Sequence, residues 1–310
     1  MPLLTIGILT YNRSGKLEKL LDRIIPTCDA LGIEILVSDN CSPDNTPKMM
    51  EKYKNVKCLR YIRNATNLGF DGNLLIVTAK ASGEFLWWMG DDDIPDAQQL
   101  ANIKCLLEEN PAIDLFFVGY MHDLPRNKHR TSGTTLNCET LSAQQYADRY
   151  MHKATLISTN ILNLAAARRL QINQACMSKG WVNLHLLLLL VDQIKSKDGQ
   201  VVVIKNPVVI QGMDEERVSV NKWEKTFVNY FNFTLGQTPL RSLSIARLKK
   251  HFYDINVRPK YLTLTEILEM NNPLEFNRKI IEVFRPNVFA QLSFWLQYFI
   301  SRILRVRRRQ

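Results

Sequence analysis

The sequence predicts an α/β fold, a mainly parallel sheet flanked by helices, with a C-terminal helical region. Three observations carry this reading. Strand-like and helix-like hydrophobic periods alternate through the first 120 residues. The segments after three of the strands, TYN, DNCSPDN and GDDD, are polar, and they fall where an open α/β sheet presents its ligand site. The chain has 310 residues and is 46% hydrophobic, enough for one large α/β domain with an appendage or for two small domains.

The elements follow in order. Residues 3–9 read as a buried strand. Leu17, Leu20, Leu21, Ile24 and Ile25 recur at i, i+3, i+4 spacing, so 16–31 reads as an amphipathic helix. EILVS at 34–38 is a short buried strand, and DNCSPDNT is turn chemistry leading into a helix with Pro47 in its first turn. Strands are expected at 57–62, 85–89 and 113–120, and helices at 73–81 and 96–109. This β-α-β-α-β-α-β order requires a parallel sheet with helices on both faces. Residues 124–138 are polar and basic and read as a surface loop; 165–175 and 181–194 are helical in pattern; 201–204 and 208–210 are strand-like. Residues 211–220 are polar, and the pattern after Asn221 is helical.

Composition excludes a disordered or collagen-like chain. The six cysteines form no CxxC pair and no zinc spacing, so they read as free thiols in a reducing compartment. The start, MPLLTIGILTYNRSGK, reads as a core strand rather than a secretory leader. No stretch reaches the roughly 18 uncharged apolar residues of a spanning helix. The net charge of +10 points to an anionic partner: nucleic acid, a phosphorylated substrate or an acidic membrane surface.

Asp91, Asp92 and Asp93 follow the apolar strand FLWWM and Gly90. Adjacent carboxylates repel one another, and hard oxygen donors suit Mg²⁺ or Mn²⁺. Read alone, the tripeptide suits equally a cation site or a solvated acidic turn capping the next helix. Asp39 closes the second strand, where an acidic side chain either bonds a base or ribose or forms a local Asx turn. Thr10 and Tyr11 close the first strand, placing a hydroxyl and a ring for base contact beside the plainer reading of a polar loop.

Taken together, strand–TYNR–helix, EILVSDNCSPDNT, NATNLGFDGN and GEFLWWMGDDD resemble glycosyltransferase family 2 with the Rossmann-like GT-A fold. The resemblance covers about residues 3–120, and its wording is nearest the bacterial branch with abequosyltransferase-like enzymes of O-antigen and other surface-polysaccharide assembly. It implies a nucleotide-sugar donor, a glycan acceptor and a divalent cation, Mn²⁺ or Mg²⁺. It implies that Thr10, Tyr11 and Asp39 hold the base and ribose, that Asn67 and Asp71 line the same pocket, and that the aspartates are the DxD motif, with Asp92 and Asp93 on the metal and Asp91 on the nucleotide side. No xED motif, which carries the general base in many members, stands in residues 181–194. His185 there is a candidate metal ligand or a hydrogen-bonded core histidine. Asp214, Glu215 and Glu216 are candidates for the base, or belong to a loop that closes over the donor.

At the C-terminus, Val288, Leu292, Trp295, Leu296, Phe299, Ile303 and Val306 share one helical face, opposite Arg302, Arg305, Arg308 and Arg309. That is the profile of a helix lying on an anionic leaflet, or else of a helix docked on the protein's own core. The first reading suits an acceptor glycan carried on a polyprenyl diphosphate and a peripheral position on the cytoplasmic face of the cell membrane. Because the sharpest basic cluster adjoins this apolar face, a nucleic-acid partner is not expected. A nucleotidyltransferase is disfavoured because TYNRSGK has only Gly15 for a phosphate loop. A non-catalytic nucleotide-binding scaffold and a nucleic-acid-binding module stay open as alternatives. The expected organisation is a nucleotide-sugar-binding domain over 1–215, a helical region over 216–285 and the amphipathic basic helix over 286–310.

Overall fold

The computed structural model describes residues 1–122, 135–151, 153–173, 177, 181–212, 240, 242–243 and the single positions 274, 278 and 298. The chain divides into two compact units, Met1–Met213 with Arg241–Leu243, and Asp214–Leu240 with Ser244–Gln310. The elements below belong to the first.

In chain order they are β1 (Leu4–Thr10), α1 (Ser14–Leu31), β2 (Glu34–Asp39), α2 (Thr46–Met50), β3 (Leu59–Arg63), α3 (Gly69–Lys80), β4 (Phe85–Gly90), β5 (Ile94–Pro95), α4 (Leu100–Glu109), β6 (Leu115–His122), β7 (Cys138–Ser142), α5 (Ala143–Arg149), β8 (Asn160–Asn163), α6 (Leu164–Arg168), α7 (Val182–Ser196) and β9 (Gln200–Gln211). The sheet runs β3-β2-β1-β4-β8-β6-β9-β5, with β7 paired to β9. Strands β1 to β4 pair in parallel, as the alternating pattern requires.

Both faces of the central strands are covered. All seven residues of β1 are buried. On one face Leu17, Leu20, Leu21 and Ile24 of α1 and Leu100 and Ile103 of α4 pack on Ile6, Ile8, Trp87 and Phe116. On the other, α3 crosses β1 so closely that a Cβ on Gly7 would lie 2.4 Å from Val77 Cγ1. Trp87 and Trp88 are 0% exposed, and each indole N–H finds an acceptor, Ser158 O at 2.8 Å and Thr78 Oγ1 at 3.1 Å. Helix α1 ends at Gly32, whose φ of 65° supplies the left-handed cap.

The second half departs from the sequence expectation. Strand β8 enters antiparallel between β4 and β6. It is only four residues long, NILN, and Asn163 turns at once into α6 by capping Ala166 N–H at 3.0 Å, so no period is established. Helix α6 stops at Arg168, short of the expected 165–175. The two strand-like segments after 200 form one strand, β9, with irregular register opposite Gly119. Of the loop expected over 124–138, residues 124–134 lie outside the described residues, and β7 opens at its last residue, Cys138. Among the described residues no helix is long and apolar enough to cross a membrane.

Candidate active site

Strand β1 lies between β2 and β4. The chain leaves β1 for β2 and β3 on one side and returns to β4 on the other, so the carboxyl ends of β1 and β4 border a topological switch point, where open α/β sheets bind ligands. Thr10 and Asp91 stand on its two sides, and the Thr10 hydroxyl donates to Asp91 Oδ2 at 2.8 Å. Thr10 is also in register with Asp39 at the end of β2. The three polar strand ends expected from the sequence therefore meet at one edge.

The acidic motif divides its work. Asp91 Oδ1 pairs with Arg13 Nη1 at 3.3 Å; Asp92 Oδ2 takes the same Nη1 at 2.9 Å and Lys16 Nζ at 3.6 Å. Asp93 Oδ2 accepts from the Ser158 hydroxyl, and Asp93 Oδ1 from Gly212 N–H at 3.1 Å. Asp91 and Asp93 are buried, 4% and 3% exposed, while the Asp92 side chain keeps 21% of its surface. Burial pushes Asp91 up to about 6 against the opposing pull of Thr10 and Arg13, and burial pushes Asp93 up as well.

These carboxylates fit a divalent cation in one particular form. A Cβ on Gly90 would lie 3.1 Å from Asp92 Oδ1 and 3.2 Å from Asp93 Oδ2, so two hard oxygens converge over the same glycine. Among the described residues no three His, Cys, Asp or Glu side chains gather into a set able to hold a metal unaided. One or two carboxylates completed by diphosphate oxygens and water is the ordinary Mg²⁺ arrangement.

The remaining sequence candidates fall into two groups. Tyr11, directly after β1, is 44% exposed. Asp39, by contrast, is 0% exposed: Oδ1 accepts from Ser42 N–H at 2.8 Å, and Oδ2 accepts from the Tyr61 hydroxyl at 2.7 Å and faces Arg63 Nε at 3.3 Å. Asn67 accepts from Asn40 Nδ2 and from Gly69 N–H, both at 2.8 Å, holding the entry to α3 where Gly69 has φ 69°. Asp71 is 3% exposed, and its Oδ1 accepts the first N–H of α7, Val182, at 3.0 Å, a helix cap supplied from 111 residues away. Asp39, Asn67 and Asp71 are thus each bonded to groups of the protein itself.

His185 is 0% exposed, and its Nε2 accepts Asn173 N–H at 3.1 Å. Burial lowers its pKa, so the ring is held neutral. The geometry is that of a core histidine. Asp214 and Glu215 lie outside the described residues, as do residues 286–310 apart from Tyr298.

Arg13, Lys16, Ser158 and Gly212 were not assigned to the motif from sequence. Arg13 sits in the TYNR segment itself; Ser158 and Gly212 reach Asp93 only through the fold. A separate cavity of about 370 Å³, lined by Phe117, Tyr120, Tyr150, Lys153 and Lys205, contains none of the three aspartates.

Comparison with known proteins decides the family. The model of glycosyl transferase family 2 matches residues 5–172. The chain belongs to glycosyl transferase family 2. Within it, abequosyltransferase RfbV of Salmonella typhimurium is 37% identical over 116 residues, 36% of this chain and 35% of that protein. Poly(ribitol-phosphate) beta-N-acetylglucosaminyltransferase TarS of Staphylococcus aureus is 29% identical over 111 residues, 34% of this chain and 19% of that protein. These matches span 35% and 19% of the curated relatives' own length. Among solved structures, S. aureus TarS 1-349 has a TM-score of 0.62 at 14% identity, covering 100% of this chain and 92% of that one. Mannosyltransferase PcManGT from Pyrobaculum calidifontis, in complex with GDP-Man and Mn²⁺, has a TM-score of 0.59 at 16% identity, covering 98% and 86%. The fold of this family 2 chain is the GT-A fold.

Proposed function

We propose that this chain is a divalent-metal-dependent glycosyltransferase that moves a sugar from a nucleotide-sugar donor to a hydroxyl of a glycan acceptor. The observation that supports it most is the Thr10–Asp91–Arg13–Asp92 cluster across the switch point between β1 and β4. Family relatives described as abequosyltransferase and N-acetylglucosaminyltransferase, and a fold neighbour solved with GDP-Man and Mn²⁺, point the same way.

In this reading Tyr11 stacks on the base while Thr10 and Asp91 orient the ribose. Asp39, Asn67 and Asp71 hold the loops that frame the pocket. Asp92, backed by Asp93, holds the cation, which when bound supplies charge neutralisation at the leaving diphosphate. Ser158 and Gly212 fix Asp93 so that its carboxylate does not swing. The carboxylate that takes the proton from the attacking hydroxyl is assigned, from sequence alone, to Asp214 or Glu215. Gly212, the last described residue before them, is the one bonded to Asp93.

The acceptor is a glycan on a polyprenyl diphosphate in bacterial surface-polysaccharide assembly, reached from the membrane surface through residues 286–310. Support for this part is the cationic, amphipathic sequence of that segment. The test is release of nucleoside diphosphate from a panel of UDP-, GDP-, CDP- and dTDP-sugars, with and without bacterial lipid extract. Release from one donor class, raised by the extract and abolished by EDTA, is expected. No release from any donor contradicts the proposal.

A further inference from the structure

Asp91 and Asp92 share one guanidinium. Arg13 Nη1 lies 3.3 Å from Asp91 Oδ1 and 2.9 Å from Asp92 Oδ2, and Lys16 Nζ approaches the same Asp92 oxygen at 3.6 Å. These contacts are unequal. The Asp91 side chain is 5% exposed, so water screens it little, and a charge beside it counts for far more than in an open surface pair. Lys16 and Asp92 are 41% and 21% exposed, where a pair contributes little.

Arg13 lies between β1 and α1, at the mouth of the crevice, with 39% of its side chain open to solvent. Its position sets up a competition. A divalent cation approaching Asp92 Oδ2 meets a positive group already on that oxygen. A diphosphate is a strong partner for the same guanidinium, because its oxygens match the arginine fork.

We infer that Arg13 is a donor-binding residue that changes partners: it neutralises Asp91 and Asp92 in the free protein and turns to the diphosphate of a nucleoside diphosphate as the cation takes the carboxylates. Metal and nucleotide then bind with positive coupling. Alone, the metal must displace Arg13 from Asp92, and the nucleotide must draw Arg13 from the two carboxylates that share it. Together, each supplies what the other removes. The coupling is reciprocal by linkage. This inference rests on the proposed reading that Asp92 holds the cation.

The experiment is titration of the full chain with Mn²⁺, following free Mn²⁺ by electron paramagnetic resonance, without nucleotide and with saturating UDP, GDP, CDP or dTDP. Wild type is compared with Arg13→Gln, Arg13→Lys, Lys16→Gln and Asp92→Asn. One nucleotide is expected to tighten Mn²⁺ binding by wild type about tenfold or more, within the usual range of coupling. Without nucleotide, Arg13→Gln is expected to bind Mn²⁺ about tenfold more tightly than wild type and to show correspondingly weaker coupling, the remainder coming from the diphosphate oxygens that complete the cation's shell. Arg13→Lys should fall between, and Lys16→Gln should show a smaller change of the same sign, an independent check should Arg13→Gln fold poorly. If Asp92→Asn abolishes Mn²⁺ binding while neither Arg13→Gln nor Lys16→Gln tightens it, the role of Arg13 is wrong and the metal assignment survives. If Asp92→Asn binds Mn²⁺ as wild type does, the metal assignment fails and this inference fails with it.

Discussion

Ser158 and Asp93 lie 65 residues apart, yet the serine hydroxyl donates to Asp93 Oδ2 while accepting Gly90 N–H at 3.1 Å. One side chain thus joins the turn before β8 to the strand end that carries the acidic motif. Ser158→Ala leaves the buried Asp93 carboxylate with one fewer donor, at a cost of about 1–3 kcal/mol in stability. Its carboxyl pKa should rise further, since the lost bond favours the charged form. Denaturant unfolding with Mn²⁺ titration checks both: reduced stability and weaker metal binding are expected, and a variant unchanged in both contradicts the role given to Ser158.

Gly212 is required by close approach. A Cβ there would lie 2.3 Å from the Asp92 carbonyl oxygen and 2.9 Å from its carbon, both backbone atoms that cannot give way cheaply. Gly212→Ala should therefore shift the acidic turn, costing about 1–3 kcal/mol and most nucleotide affinity. Gly15→Ala is the control: nothing lies within 4 Å of its Cβ position, and it falls in the first turn of α1, so stability should hold or rise.

His185 separates a metal ligand from a core residue. Its pKa is lowered from 6.5 by burial, so the folded state favours the neutral ring. Stability from such a group is complete above pH about 6.5 and is lost as pH falls through the lower folded value. His185→Ala should lose about 1–3 kcal/mol at neutral pH, flatten the acid side of the stability profile and leave Mn²⁺ affinity unchanged. A well-folded His185→Ala with weakened Mn²⁺ binding would return the residue to the metal shell.

Asp91 has the opposite sign. Its folded value of about 6 lies above the ordinary 3.8, so the native state holds the proton more tightly than the unfolded chain. The stability it contributes is complete below pH about 3.8 and is lost as pH rises to about 6. Replacement by Asn removes that loss. In EDTA, the stability of Asp91→Asn relative to wild type should improve between pH 4 and 7 by up to about 3 kcal/mol. A constant difference across that range contradicts the burial cost assigned to Asp91.

The sequence made the first half of the fold legible because each βα unit there obeys one period at a time. Strand β1 is mostly apolar and wholly buried, α1 shows a clean i, i+3, i+4 stripe, and turn chemistry separates β2 from α2. Strand β8 escaped because four residues with two asparagines show no alternation. Within the site, Thr10, Asp39 and Asp91 were readable as strand ends. The partners of Asp71 and Asp93 were not: Val182, Ser158 and Gly212 are 111, 65 and 119 residues away, and no local pattern marks them. The same limit explains His185, whose Nε2 accepts the N–H of Asn173, a residue outside any helix or strand. Arg13 was in plain view in TYNR, but a lone arginine after a strand does not announce which carboxylates it will meet.

The most direct test of the central claim is isothermal titration of the purified chain with UDP, GDP, CDP and dTDP, each with Mn²⁺ and with EDTA, repeated on Asp92→Asn/Asp93→Asn. Binding of one nucleotide that requires Mn²⁺ and disappears in the double variant is the predicted result. Folded wild-type protein that binds none of the four, or binds one equally well in EDTA and in the double variant, would contradict it.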